Sequence, residues 1–160
     1  MILTPPLGTW IAAFDKPKLI WLWEKFAPYD ALWADDKMRD PEVFQRRFLD
    51  KSTVTLETDG GLMMLERMLP GVRGEVHFMF WDHKLSARTE LLKDCVLWAF
   101  LSFDLERLET FVADYARAVR RFVEEKLGFT YEGTLRHRVK HQGRFIDMKV
   151  YSILRNEVLN

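Results

Sequence analysis

The sequence lacks most of the features that place a protein outside the class of ordinary globular domains. It has one cysteine, Cys95, which excludes a disulfide framework and a cysteine metal site. No apolar run approaches the roughly 18 residues that a membrane-spanning helix needs. Met1–Phe14 has neither the charged start nor the small-residue cleavage site of a signal peptide. We therefore expect a cytoplasmic protein with no membrane partner and no metal, with Cys95 in the core.

An excess of charge of either sign is also absent. Lys+Arg and Asp+Glu both number 24, so the net charge gives no reason to expect a nucleic-acid partner, and we expect none. The charge is nevertheless unevenly distributed, because residues 115–145 hold eight Lys/Arg against three Glu. This basic third can either receive an anionic ligand or form a solvated face.

The composition that is present predicts one packed domain. The chain has 160 residues, of which 48% are apolar, and we expect residues 1–160 to form a single domain with a full core. Asp15 and Asp40 are each followed within two residues by proline, which predicts helices over Asp15–Phe26 and Asp40–Leu49.

The hydrophobic period then alternates between two and 3.6 along the chain. The expected order is β-α-α-β-β-β-α-β-α-β-β, a mixed α/β fold with a mostly antiparallel twisted sheet of about seven strands and four helices. The other elements are predicted as strands Thr9–Phe14, Thr53–Thr58, Leu62–Leu69, Val72–Trp81, Leu105–Val112, Phe129–Val139 and Arg144–Arg155, and as helices Arg88–Phe103 and Tyr115–Leu127. Leu108 and Phe111 are the expected core anchors of Leu105–Val112, and Val119 is expected to face inward from Tyr115–Leu127.

The most specific stretch is Glu124–Asn156. Gly128 can adopt the left-handed conformation that ends a helix, and Gln142-Gly143 is a typical two-residue hairpin turn between two alternating strands. Together with upstream residues, this stretch is similar to the GNAT superfamily of acyl-CoA-dependent N-acyltransferases, in the branch that resembles ribosomal-protein N-terminal acetyltransferases. The matching residues are Ala99-Phe100, Arg107–Val112, Glu125–Phe129, Tyr131–Gly133, Leu135-Arg136, Gly143-Arg144, Asp147 and Tyr151-Ser152.

The resemblance implies an acyl-CoA co-substrate, acetyl-CoA or another acyl-CoA, whose pyrophosphate lies on backbone N–H groups where the fourth strand enters the central helix. Here that loop is His83–Arg88, and Lys84 and Ser86 stand at the family's two glycine positions. The pyrophosphate loop is therefore degenerate. Either Lys84, Ser86 and Arg88 bind phosphate through their side chains, or the site has decayed and the fold survives as a scaffold.

The residues that the resemblance assigns to the cofactor extend beyond this loop. Arg117 stands where related sequences carry an asparagine, and it either contacts a CoA phosphate or belongs to a solvated stripe in which Arg120 pairs with Glu124. The expected cofactor-binding set is Phe80, Trp81, Lys84, Leu85, Ser86, Ala87, Arg88, Thr89 and Arg117.

Three residues are candidates for the chemistry that the resemblance implies. Acylation of an amine needs a free amine, an oxyanion stabiliser and a proton donor for the leaving thiolate. Glu75 and His77 lie on the fourth strand, and imidazole titrates near neutral pH. His77 is equally explained as a polar residue on the less buried sheet face. Tyr115, at the start of the penultimate helix, is the candidate acid.

Two functions follow. The first is an N-acetyltransferase that transfers an acyl group from acyl-CoA to a primary amine on a small molecule or a protein N-terminus. The alternative is a non-catalytic GNAT-like domain that has lost acyl-CoA binding, for example in a phage or prophage assembly. Six tryptophans, four of them before Leu49, can line an aromatic acceptor pocket or fill the core. A homodimer through Arg144–Arg155 rests on analogy between folds alone.

Overall fold

The computed structural model describes residues 1–29, 34–82 and 84–159. Its two N-terminal helices begin at the predicted caps. The Asp15 carboxylate accepts the N–H of Lys18 at 2.8 Å, and the Asp40 carboxylate accepts the N–H of Glu42 at 2.8 Å. Each cap satisfies an N–H group that the first helical turn would otherwise leave without a partner.

The predicted order of elements is confirmed. The strands are β1 Trp10–Ile11, β2 Val54–Thr58, β3 Gly61–Leu69, β4 Arg73–Phe80, β5 Arg107–Ala113, β6 Thr130–His141 and β7 Arg144–Leu154. The helices are α1 Lys16–Phe26, α2 Pro41–Leu49, α3 Thr89–Phe103, α4 Arg117–Arg121, which continues as a π-helical turn over Phe122–Lys126, and α5 Arg155–Val158, with short 3-10 turns at Asp36–Arg39 and Ser86–Arg88.

The strands form one seven-stranded sheet in the order β1-β2-β3-β4-β5-β7-β6. Its neighbours pair antiparallel except β4 and β5, which are parallel and are connected through α3. The β6–β7 hairpin turns at Gln142 and Gly143, whose φ angles are 48° and 76°. Two positive φ angles define the type I′ turn that matches strand twist, so the predicted turn is confirmed.

The two faces of the sheet are covered unequally. One face packs on α3 and α4, with Val76, Phe100 and Leu108 fully buried at its centre. The other face packs on α1 and α2 around Phe26 and Phe44, but this second core involves strands β3 and β4 only. The helices α1 and α2 therefore leave the part of the second face formed by β4, β5 and β7 less covered.

Several local predictions were wrong. The helix α5 was not predicted, and Phe111, predicted as a core anchor of β5, points to the face opposite Leu108. Val119, predicted to face inward, is 39% exposed. The ion pair on α4 joins Arg121 to Glu125 at 3.3 Å, one position along from the predicted pair. Successive residues of a strand point to opposite faces, so Phe111 and Leu108 cannot face the same core. The π-helical turn that continues α4 shifts side chains away from the positions expected in a regular helix.

Two further expectations concern the whole chain. Cys95 is 2% exposed in the core, and burial, with a smaller effect of Asp94, raises the pKa of its thiol to about 12. Within residues 1–29, 34–82 and 84–159, no helix is long and apolar enough to cross a membrane.

Candidate functional site

The sheet opens between β4 and β5. The two strands pair over three residues only, from Arg73 opposite Arg107 to Glu75 opposite Glu109, and then diverge. Beyond that point the facing backbone N–H and C=O groups have no strand partner across the opening, although such groups normally require one. The opening is a cavity of about 600 Å³ that we call the cleft. Its walls include Phe78, Phe80, Leu85, Ser86, Thr110, Val112, Tyr115, Ala116, Val119, Phe122 and Val123.

A second cavity of about 570 Å³ lies on the less covered face of the sheet, and we call it the chamber. Side chains from α2, β3 and β4 form its floor, and the β6–β7 hairpin and the 3-10 turn at Asp36–Arg39 form its rim. The cleft and the chamber share wall residues and are therefore contiguous. The shared residues are Asp35, Met38, Arg47, His77, Phe111, Val139 and Met148.

A row of buried carboxylates crosses the chamber side of the sheet. Glu66 lies directly opposite Glu75, and Glu75 lies directly opposite Glu109. Like charges in that arrangement repel one another, and each is matched by an arginine. The pairs are Arg47 Nε to Glu66 at 2.6 Å, Arg67 to Glu75 at 3.0 Å and Arg73 to Glu109 at 2.9 Å.

His77 lies within this row. Its Nε2 is buried 3.1 Å from Glu66 Oε2 and 3.8 Å from Glu75 Oε2, as an ion-pair contact without an aligned hydrogen bond. Burial alone would lower the pKa of His77, but the two carboxylates outweigh it and hold that pKa above its usual value. With Nε2 against Glu66, Nδ1 is the nitrogen left to exchange a proton with the cavities.

The carboxylates respond in the opposite direction. Burial tends to raise the pKa of Glu66, but Arg47 and His77 lower it to about 2, and the pKa of Glu75 is also lowered by His77 and Arg67 against the effect of burial. Both groups are therefore ionised at neutral pH. Glu66 and Glu75 are therefore suited to stabilise a protonated His77 and poorly suited to accept a proton.

The structure brings two of the three predicted catalytic residues to the cleft. Tyr115 follows β5, is 44% exposed, lines the cleft and stacks on His141 with ring centroids 5.1 Å apart. His77 lines both cavities, whereas Glu75 lines the chamber only. His77 thus approaches the cleft from β4 and Tyr115 from the turn that follows β5, which their sequence positions alone do not show.

The loop after β4 differs from the expectation for Arg88. Its guanidinium is bound to the Asp82 carboxylate at 2.9 and 2.5 Å and to the carbonyls of Asp59 and Lys84, and it lies over the ring of Phe80. These contacts connect the β2–β3 turn to the loop. The side chain of Arg88 is therefore part of the scaffold rather than available to a phosphate.

The missing glycines do not strain this loop. Lys84 and the residues of the Ser86–Arg88 turn are absent from the positive-φ positions of the described chain, so none of them adopts the left-handed conformation that favours glycine. Lys84, Ser86 and Ala87 are exposed, and the Thr89 hydroxyl donates to the Ser86 carbonyl at 2.9 Å. His83 lies outside the described residues.

The remaining expected cofactor residues divide between two environments. Phe80 and Leu85 line the cleft, and Arg117 is exposed at the start of α4, beyond Tyr115 and Ala116 of the cleft wall. Trp81 instead packs edge-on against Trp21 and Phe26 on the α1 side. Among the described tryptophans none lines either cavity. Trp23 and Trp81 pack against the second core and Trp98 lies in the first, so these residues do not form an aromatic pocket.

Sequence reasoning missed the residues that shape the chamber. Glu66 follows Leu62 and Met64 at the core-facing positions of β3, and a charge in an inward-facing alternation is the signal that could have identified it. Arg47 has the helical spacing of the buried face of α2. Met38 and Val139 carry no comparable signal.

The residues that carry the family resemblance have structural roles. Glu132 accepts two bonds from Arg107 at 2.7 and 2.5 Å and one from the Ser152 hydroxyl at 2.6 Å, and it thereby connects β5, β6 and β7. The Asp147 carboxylate accepts the N–H of His137, whose φ of 51° marks a bulge in β6. These contacts involve neither cavity, whereas Thr110, Phe111 and Val112 of the matching residues line the cleft.

No family model matches the sequence, and no curated protein matches it. Solved structures do match. A probable acetyltransferase is 19% identical with a TM-score of 0.71, covering 95% of this chain and 96% of that chain. A chimera of Vibrio cholerae spermidine N-acetyltransferase and hSSAT is 18% identical with a TM-score of 0.76, covering 96% and 99%. Spermidine N-acetyltransferase from Vibrio cholerae in complex with CoA and spermine is 18% identical with a TM-score of 0.72, covering 96% and 99%. The chain therefore has the GNAT fold of these acetyltransferases.

Proposed function

We propose that the protein is an N-acyltransferase that transfers an acyl group from acyl-CoA to a primary amine. The observation that carries this proposal is the opening between β4 and β5, which leads from the exposed loop before α3 to His77 and the chamber. The similarity to N-acetyltransferase structures, one of them in complex with CoA, supports it.

The cleft suits the extended arm of an acyl-CoA. Unpaired backbone groups along β4 and β5 can bond the amides of such an arm, while Phe122 and Val123 offer apolar contact. The first turn of α3 has no side-chain cap, so its N–H groups can receive a phosphate. The exposed Lys84 and Arg117 can add positive charge there. Acyl-CoA supplies the activated acyl thioester.

His77 and Tyr115 are the residues that we assign to proton transfer. In the reaction the amine nitrogen forms a bond to the acyl carbon and the carbon–sulfur bond breaks. Nδ1 of His77 accepts the proton that the amine loses, and the carboxylates of Glu66 and Glu75 stabilise the imidazolium that forms. The Tyr115 hydroxyl donates a proton to the leaving thiolate. Glu75 then acts on the charge of His77 rather than on the substrate.

Thermal melting with acetyl-CoA tests the cofactor part of the proposal. A ligand at 100 times its dissociation constant stabilises a fold by about 2.7 kcal/mol, and we expect a clear rise in melting temperature. Arg117→Ala should reduce that rise. Arg121→Ala is the matched control, since Arg121 lies on the same helix and pairs with Glu125. No rise with acetyl-CoA or longer acyl-CoAs at millimolar concentration would exclude an acyltransferase.

The alternative function, a non-catalytic domain, has a different signature. The engagement of Arg88 by Asp82 favours it, because that side chain has become structural. Release of the CoA thiol should be followed with a panel of primary amines. Stabilisation by acetyl-CoA without any thiol release across the panel would identify a binding relic.

A further inference from the structure

We infer that the acceptor is a monoamine with an apolar body, not a polyamine; this rests on the proposed function. The similar structures include spermidine N-acetyltransferases, so a polyamine is the obvious alternative. The described lining of the chamber has no net negative charge that would attract a polyamine, and it includes apolar side chains that can contact an apolar amine.

The charges of the chamber are balanced. Its described lining contains four carboxylates and four arginines, besides His77. Glu66 and Glu75, the two carboxylates on the floor, are bound by Arg47 and Arg67. A second ammonium group of a substrate would have to displace one of these guanidinium groups, since a cation needs an uncompensated carboxylate as its partner.

The carboxylates at the rim are also engaged. Asp35 accepts the N–H of Lys37 at 3.0 Å, and Asp50 accepts the N–H and hydroxyl of Ser52 at 2.7 and 2.6 Å. Arg46 and Arg138 of the lining match these two carboxylates in number. The rim thus has no net negative charge that would attract a polycation.

The wall between the chamber and the cleft is partly apolar. Besides His77 and the charged Asp35 and Arg47, four apolar side chains line both cavities, namely Met38, Phe111, Val139 and Met148. An amine placed at His77 would therefore lay its carbon substituent against these four side chains. An apolar environment also disfavours the ammonium form, and the attacking amine must be neutral.

The wall is held in place by a contact between distant parts of the chain. The Asp36 carboxylate accepts the N–H of Gln142 at 2.8 Å and the N–H of Gly143 at 3.0 Å. This contact fixes the tip of the hairpin that carries Val139 against the 3-10 turn that carries Met38. Asp36 is therefore a positioning residue for the acceptor wall.

The test compares two probe amines, 2-phenylethylamine and spermidine, with acetyl-CoA as donor and release of the CoA thiol as the readout. We expect kcat/KM for 2-phenylethylamine to exceed that for spermidine by about tenfold or more, the discrimination typical of small differences in an apolar pocket. Met38→Glu and Val139→Asp should each narrow or reverse this ratio, since each adds an uncompensated carboxylate to the wall.

Matched uncharged variants separate charge from shape. Met38→Gln and Val139→Thr should lower kcat/KM for 2-phenylethylamine without raising it for spermidine. Asp36→Ala should raise KM for 2-phenylethylamine and leave the melting shift with acetyl-CoA unchanged. In the conservative Asp36→Glu, KM for 2-phenylethylamine should return part of the way to its original value. That partial return would not occur if Asp36→Ala acted through a general loss of stability.

The remaining outcomes overturn the inference in distinguishable ways. Equal or better use of spermidine by the unmodified chain excludes the apolar monoamine and leaves the proposed function standing. A melting shift with acetyl-CoA but acylation of neither amine also overturns this acceptor class. A preference for hexanoyl-CoA over acetyl-CoA with no preference between the amines would assign the apolar wall to the acyl group. Failure of the proposed function itself appears separately, as no melting shift with any acyl-CoA or as no thiol release with any amine of the wider panel.

Discussion

Two ionic networks lie on the same face of the sheet and differ in one respect. In the network of Arg107, Glu132 and Ser152, every named side chain forms a well-aligned bond to another within it. In the network around His77, the carboxylates are bound by arginines but Nε2 has only ion-pair contacts. The first network joins three strands, whereas the second keeps a titratable group beside two cavities. The closed network has a structural role, and the open one is the network that the proposed reaction would use.

The electrostatics of the two networks follow the same division. In the closed network, hydrogen bonds from Arg107 and Ser152 lower the pKa of Glu132 to about 2, and those from Glu132 and Glu109 raise the pKa of Arg107. Both residues are therefore charged at neutral pH. His77, by contrast, has a pKa raised from a value that is already near neutral.

Among the substitutions that test the comparison of the two networks, we expect the largest effect from one that removes His77 and lowers the rate of catalysis. His77→Gln should lower kcat/KM by about 10²–10⁴, the usual contribution of a general base, because glutamine cannot accept the proton of the amine. The melting shift with acetyl-CoA should remain. Activity within a few-fold of the unmodified protein would remove His77 from the reaction and leave the open network without a function.

The next effect is on stability, in the closed network. Glu132→Ala leaves the guanidinium of Arg107 with Glu109 alone and the buried hydroxyl of Ser152 without its partner, and we expect the free energy of unfolding to fall by about 1–3 kcal/mol. Urea unfolding measures this loss, provided that the dependence of the unfolding free energy on urea concentration keeps the same slope. Glu42→Ala is the control, because the pair of Glu42 with Arg46 is well exposed and should be worth less than about 1 kcal/mol. Equal losses would contradict a structural role for the network.

The smallest effect is a shift in pH dependence. The base form of His77 is populated above its raised pKa, so activity should rise as pH increases through a value above that of free imidazole. Glu66→Gln removes one of the two carboxylates that raise this pKa and should move the rise to lower pH. The stability that protonated His77 gains from its partners is present below its unfolded pKa and is lost as pH rises through the folded pKa. In Glu66→Gln that loss should shrink.

An unshifted pH–rate profile in Glu66→Gln would mean that a different group titrates. Glu57→Gln is a useful comparison. Glu57 is another buried carboxylate, on β2, which pairs with Lys18 of α1 and is not among the described residues that line either cavity. Its substitution should leave the pH–rate profile in place.

The sequence predicted those parts of the fold that depend on neighbours along the chain. The caps at Asp15 and Asp40 and the turn at Gln142-Gly143 are local, and each proved correct. The chamber could not be predicted in the same way, because Arg47, Glu66 and Val139 come from elements that meet only in the folded sheet. The engagement of Arg88 by Asp82 and Asp59 was also missed, since it depends on a turn about thirty residues earlier.

The short pairing between β4 and β5 has a mechanical consequence. Three residue pairs hold the two halves of the sheet together, so the width of the opening beyond them is determined by the side chains packed beneath it. Val76 directly follows the last paired residue of β4, is fully buried in the core beneath the sheet, and is not among the lining residues of either cavity. A change in the volume of such a residue would alter the separation of the strands, and with it the space for a ligand, without altering any side chain that a ligand touches.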